Sequence, residues 1–248
     1  MIFKILKKII GLFGFKLISK NLIKNNRILD NFDSLSLDKI LKNLFNKNKI
    51  HSLIQVGAND GLRFDNINKY IKKYKPKAIL VEPINEYFEQ LKINYKSYDN
   101  VFFENLAITV NDEINYLFKV KSEYLNNYDE HIKGISSFDK KHLKKHGVKN
   151  SHIIKEKINS LSIIDLFNKY NFKIDLLIID AEGYDAEIVL DLLKNSNFKP
   201  LIIFEYIHVK TNSLKELTTI LSQKNFNILR INENIICTPN EINLEIDI

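Results

Sequence analysis

The 248-residue chain has one cysteine, Cys237, which excludes an intrachain disulfide and any metal site built from several thiolates. A reducing, cytoplasmic setting is the default for such a chain. The N-terminal segment has no long apolar run. Its longest uncharged stretch, Ile9 to Phe15, is far below the roughly 20 residues that cross a bilayer. No small-residue cleavage site follows, so a secretory signal is not expected. Acidic residues are missing from 1–29, which carry Lys4, Lys7, Lys8, Lys16, Lys20, Lys24 and Arg27. The other 30 basic and 30 acidic residues cancel, so the net charge of +7 belongs to the N-terminus alone. A nucleic-acid enzyme would carry its basic excess along the catalytic face, so no nucleic-acid partner is expected.

What is present describes an ordinary globular protein, with 45% hydrophobic and 27% charged residues. The length suits one full α/β domain with a short appendage. Residues 1–14 are amphipathic at helical spacing, with Ile2, Ile5, Leu6, Ile9 and Phe13 on one face and Lys4, Lys7 and Lys8 on the other. Two readings stand for this segment. It covers the domain's own core, or it rests on anionic lipid as a peripheral contact at the inner face of a membrane through residues 1–29.

From Ile50 onward strand and helix signals alternate, which predicts an α/β fold with a doubly wound, mostly parallel seven-stranded sheet. The expected division is a helical extension over 1–48, with a stripe from Leu35 to Phe45 capped by Ser34 or Ser36, and a catalytic domain over 49–248. Strands are predicted near 51–57, 78–82, 101–108, 174–180, 200–206, 226–231 and 234–238. Helices are predicted near 64–74, 85–95, 161–170, 184–194 and 212–224. Two further strands, 113–120 and 151–158, flank a polar stretch over 121–150 that is long for a connection and reads as a lid or binding loop. Its run Lys140-Lys141-His142-Leu143-Lys144-Lys145-His146 reads as a solvated helix face or as an attractor of an anionic substrate. His131, His142, His146 and His152 are scattered through polar sequence and are read as showing no metal-ligand spacing.

Three motifs carry chemistry. The apolar run Leu53-Ile54-Gln55-Val56 ends in Gly57-Ala58-Asn59-Asp60-Gly61, a strand feeding a glycine turn and then a helix. Such a turn brings backbone N–H groups up to a nucleotide-like ligand. Ala78 to Val81 ends in Glu82-Pro83, where a carboxylate suits ribose hydroxyls. Leu176 to Ile179 ends in Asp180-Ala181-Glu182-Gly183-Tyr184-Asp185, at the carboxyl edge where open sheets bind ligands. Glu205 and His208 close the next strand, and His208 is read as a general base, a metal ligand or neither.

In that order and spacing the motifs resemble the FkbM family of S-adenosylmethionine-dependent methyltransferases. Val56 to Gly61 matches the family's V-G-A-N-x-G loop, Glu82-Pro83 its Glu-Pro, and Asp180, Glu182, Gly183 and Asp185 its Asp-x-Glu-Gly-x-Glu/Asp signature. Gln55 departs from general methyltransferase practice, which places an acid two residues before the first glycine. The resemblance implies a Rossmann-like class I methyltransferase fold with S-adenosyl-L-methionine as cofactor. It also implies O-methylation of a sugar, a glycan-like acceptor or a small natural product. Cofactor contacts are then expected from Gln55, Gly57, Ala58, Asn59, Gly61, Glu82, Pro83, Asn105, Ala107 and Asp180. Asp180 and Glu182 are the expected catalytic pair, with His208 as a further candidate. Asp180, Glu182 and Glu205 suit a base and hydrogen-bond acceptors as well as an oxygen site for a divalent metal, so no metal ligand is assigned.

Three other readings compete, and the first, a nucleic-acid methyltransferase, would show a proline-rich acceptor motif after the fourth strand, where Asp180-Ala181-Glu182-Gly183 stands. An NAD-dependent oxidoreductase would need G-x-G-x-x-G, and only Gly57 and Gly61 are present. A non-enzymatic binding module on the same fold remains open, because fold does not fix function.

Overall fold

A computed structural model of the chain describes residues 36–110, 115–240 and 242. The predicted N-terminal amphipathic helix, the basic stretch 1–29, Ser34 and the start of the 113–120 strand lie outside the described residues.

The first described helix, α1 (Leu37–Asn46), is capped by Ser36, whose Oγ accepts from Lys39 N at 3.3 Å, and carries Asp38 in its first turn. Its stripe of Ile40, Leu41, Leu44 and Phe45 is buried in the same cluster as Leu53, Ile71 and Leu80. Strand β1 (Ser52–Val56) is buried at every position, as expected for a parallel strand covered on both faces. There follow α2 (Asn68–Tyr74), β2 (Lys77–Val81), α3 (Asn85–Asn94) and β3 (Val101–Glu104). Next come β4 (Ala107–Ile108), β5 (Tyr116–Val120), α4 (Glu130–Lys133), β6 (Ser136–Ser137) and α5 (Lys140–Lys145). The chain continues through β7 (Ile153–Lys157), β8 (Ser160–Leu161), α6 (Ile163–Lys169), β9 (Leu176–Ile179) and α7 (Asp185–Asn195). It ends with β10 (Leu201–Glu205), α8 (Thr211–Gln223), β11 (Phe226–Ile231) and β12 (Asn234–Pro239).

The main sheet has seven strands in the order β11-β12-β10-β9-β1-β2-β3. β10, β9, β1, β2 and β3 run parallel, and β12 pairs antiparallel with both β10 and β11. The chain winds outward from β1 to β3 and then returns to β9 on the other side of β1. That reversal opens a crevice beyond the carboxyl ends of β1 and β9. Pro76 and Pro200 each sit one residue ahead of a strand, where a missing N–H costs no ladder bond.

Three expectations are corrected. The strand predicted over 101–108 breaks after Glu104, because Asn105 Nδ2 donates to the Glu82 and Pro83 carbonyls, and β4 leaves to pair with β8. The helix predicted from residue 64 begins at Asn68. Ahead of it Asp60 accepts from Leu62 N and Arg63 N, and Asp65 accepts from Ile67 N and Asn68 N, so these side chains hold the backbone in turns. The polar stretch 121–150 is folded, not an open loop. β5 pairs antiparallel with β6 and β7, and Val120, Ile132, Ile135, Leu143, Val148 and Ile153 form a small core of their own.

Candidate active site

A cleft of about 350 Å³ opens at the crevice between β1 and β9. Its floor is formed by the ends of β1, β2, β9 and β10, including Gln55, Gly57, Glu82, Asp180 and Glu205, and the folded insertion supplies His131, Gly134, Ser136 and Phe138 from above. The insertion is held there by several contacts. Tyr87 Oη donates to the Lys133 carbonyl, Ser137 Oγ donates to the Glu182 carbonyl at 3.2 Å, and the Phe138 and Tyr184 rings meet edge to face at 4.8 Å.

The glycine turn is built for close packing of protein on protein. Gly57 has φ +79°, and a Cβ there would lie 2.0 Å from the Asp180 carbonyl oxygen, so only glycine lets β1 and β9 end side by side. A Cβ on Gly61 would strike Leu91 at 2.5 Å and Tyr95 at 2.7 Å. Every amide of the turn has an internal acceptor. Gly57 N and Ala58 N donate to the Val81 carbonyl, Asn59 N to Glu82 Oε2, Asp60 N to Asn59 Oδ1 and Gly61 N to the Ala58 carbonyl. The expectation that this loop offers N–H donors to a ligand is therefore corrected.

Acceptors face the cleft instead. Gln55 is buried, and its Oε1 has no hydrogen-bond partner within the protein. An orphaned buried acceptor is costly and points to a donor on a ligand. Glu82, 4% exposed, takes Asn59 N at 2.9 Å and Ile84 N at 2.8 Å. Burial outweighs these two bonds and pushes its carboxyl up to about 7. Asp180 is reachable through the cleft yet walled by protein. Desolvation by the surrounding protein, with Glu182 pressing on it, raises it to about 7 as well although the side chain is open to the cleft. Glu205 reaches about 8 through burial and through repulsion from Asp180, Glu182 and Glu233. Asp60 goes the other way. Burial pushes it up, but the bonds from Arg63 and Leu62 prevail and hold it below the usual carboxylate range.

Glu182 stands at φ +50°, a left-handed conformation that a non-glycine residue adopts at a cost. Its Oε2 lies 2.8 Å from His142 Nε2. Asp185 is fully buried and accepts from Ala181 N and Gly183 N, so it closes the turn between β9 and α7 and does not face the cleft.

A model of the methyltransferase FkbM domain matches residues 55–228. The chain belongs to the FkbM methyltransferase family. Among solved structures, the methyltransferase FkbM from Methylobacillus flagellatus KT is 13% identical, with 76% of this chain and 44% of that one covered and a TM-score of 0.45. The fibrillarin pre-rRNA processing protein of Methanococcus jannaschii is also 13% identical, with 76% and 65% covered and a TM-score of 0.38. The O-methyltransferase from Bacillus cereus in complex with SAH is 7% identical, with 94% and 96% covered and a TM-score of 0.42. The chain thus spans less than two thirds of the first two proteins. No curated protein matches it.

In this FkbM-family chain, Gln55, Gly57, Ala58, Asn59, Glu82, Pro83, Ala107, Asp180 and Glu182 all line the one cleft. Gly61, Asn105 and His208 do not. Gly61 packs on α3, the Asn105 amide is held by backbone carbonyls, and His208 lies behind Glu182 beside His142. The lysine-histidine run is not simply a solvated face either, since His142 and Leu143 are buried. Sequence reading missed His142 as the partner of Glu182 and the meeting of His142, His146 and His208. The available signal was the i, i+4 spacing of His142 and His146, which puts both on one helical face.

Proposed function

We propose that the protein transfers the methyl group of S-adenosyl-L-methionine to a hydroxyl of a saccharide-like or small natural-product acceptor. One observation carries this reading. The cleft at the sheet's switch point presents acceptors (Gln55 Oε1, Glu82, Asp180, Glu182, Glu205), while the glycine-turn amides that would cradle a pyrophosphate are all used internally. Such a lining suits a phosphate-free, cationic adenosyl donor and opposes a dinucleotide. Glu82 would take the ribose hydroxyls, and Gln55 Oε1 would take the donor's amino group. Phe64 and Phe138 supply rings on the cleft wall against which the C–H face of a sugar packs, with carboxylates opposite to take its hydroxyls.

The donor carries its own activation, so the protein contributes alignment and a base. Glu182 would accept the proton of the acceptor hydroxyl, and the bound donor would supply an activated methyl group, leaving as its demethylated product. His142 holds that carboxylate in place at 2.8 Å. Asp180, just past the end of β9 beside β1, would be the carboxylate nearest the donor's positive charge.

Two measurements test this. Calorimetry should show S-adenosylmethionine binding and no NAD binding, and Glu82→Ala should weaken it by about 1.5–3 kcal/mol. Single-turnover methylation of a panel of free and nucleotide-linked sugars, read by mass, should fall about 10²–10⁴-fold in Glu182→Gln with cofactor affinity retained. Tight NAD binding overturns the cofactor assignment. Normal turnover in Glu182→Gln with none in His208→Ala moves the base to His208.

A further inference from the structure

Three of the six histidines converge behind Glu182. His142 and His146 come from α5 and the residue that ends it, in the insertion, and His208 comes from the turn after β10. Ring centroids are 4.7 Å apart for His142–His146, 4.6 Å for His142–His208 and 5.2 Å for His146–His208. One ring nitrogen of each lies within 4.8 Å of those of the others. We infer that His142, His146 and His208 bind a divalent transition-metal ion of the zinc type, which pins the insertion to the carboxyl edge of the sheet.

The chemistry of the donor set favours this occupant. Imidazole suits zinc and its neighbours, whereas magnesium and calcium want oxygen ligands. Tetrahedral coordination with bonds of about 2.0–2.1 Å needs nitrogens about 3.3 Å apart. Binding would therefore draw the nitrogens together from separations of up to 4.8 Å by rotation of the half-buried His146 and His208 side chains. His142 already carries a carboxylate on Nε2, which fixes its tautomer and leaves the other ring nitrogen for a metal, the arrangement common to metal-bound histidines. The backbone makes room as well. Gly183 has φ +93°, and a Cβ there would meet the His208 carbonyl at 3.0 Å, so glycine at this point lets the β10 turn close on the Glu182 turn. Three histidines leave a fourth position for water. None of the three lines the cleft, so the ion acts as a clamp that orients Glu182 through His142.

The inference goes beyond the methyl-transfer reading and does not depend on it. The untagged full-length chain, stripped with chelator and dialysed, is titrated with Co²⁺ while its visible absorption is read. The expected result is a d–d band that saturates at one Co²⁺ per chain and is discharged by Zn²⁺. His146→Gln should weaken binding by more than the roughly 10–100-fold that follows loss of an outer partner, and Glu182→Gln by about that amount. Zn²⁺ should also slow tryptic cleavage at Lys140, Lys141, Lys144 and Lys145. Absence of a saturating band, or unchanged Co²⁺ affinity in His146→Gln, overturns the site. Should His146→Gln lose its circular dichroism, His208→Asn is read by the same rule. Cleavage that ignores Zn²⁺ overturns the clamp. No cofactor enters these measurements, so calorimetry with S-adenosylmethionine judges the other reading separately.

Discussion

At the residue scale the site depends on places where backbone meets backbone. Gly57 and Gly147 share a left-handed φ, +79° and +83°, but differ in surroundings. A Cβ on Gly147 meets nothing within 4 Å, while one on Gly57 would overlap the Asp180 carbonyl. Gly147→Ala should therefore cost only the dihedral strain, about 1 kcal/mol. Gly57→Ala should cost more than about 3 kcal/mol, because β1 and β9 must separate. Urea unfolding of both variants checks this, and equal losses would show that the contact yields easily. Glu182 is the same argument in reverse. Its strained φ persists because Ser137 holds its carbonyl and His142 its carboxylate, so the side chain is fixed in place at the cleft.

At the scale of elements, the parallel strands collect acids because each ends at the same edge. Glu82, Asp180 and Glu205 follow β2, β9 and β10 or end them, and all three are pushed up, to about 7, 7 and 8. The sign follows from linkage. A carboxyl with a folded pKa above its unfolded value binds its proton more tightly when folded, so its contribution is full below about pH 4 and is lost as pH rises through about 7–8. The unliganded protein should accordingly melt at falling temperature between pH 5 and 8. Glu205→Gln, which removes one of the mutually repelling groups, should flatten that decline. Thermal scans across the range decide it, and parallel curves for the two proteins would mean that Glu205 is not under this strain. A cationic donor relieves the same repulsion, so S-adenosylmethionine should release protons on binding and bind more tightly at pH 8 than at pH 6. Calorimetry in buffers of different ionisation enthalpy reads that release.

At the scale of the whole molecule, charge is segregated, with the entire excess in residues 1–29. Among the described residues no helix is long and apolar enough to cross a membrane. The basic amphipathic N-terminus is expected to carry the protein onto anionic vesicles, each lysine near the surface contributing about 1 kcal/mol. Sedimentation with such vesicles at low salt should be strong in the native chain and abolished by Lys4→Glu, Lys7→Glu and Lys8→Glu together. Salt-independent binding, or none, would place the apolar face against protein.

Much of this protein is legible in its residues taken in order. Strands buried on both faces read as unbroken apolar runs, so β1, β2 and β9 fall where Leu53, Leu80 and Leu177 announce them. Glycine turns and terminal acids mark the cleft for the same reason, since a parallel sheet delivers successive strand ends to one edge. Other features needed the third dimension. Asp60 and Asp65 delay α2 by bonding amides of the turns ahead of it and at its start, a competition that helix periodicity does not register. Asn105 breaks β3 by reaching carbonyls more than twenty residues earlier. The Glu182–His142 bond and the three-histidine cluster join segments forty and more residues apart in sequence. Local sequence thus determined the strands, the turns and the acidic edge, because those rest on propensity and burial within a few residues. Which imidazole meets which carboxylate was decided only when the insertion folded down onto the sheet, because a side-chain pair forms wherever packing brings it together, and no spacing along the chain encodes that distance.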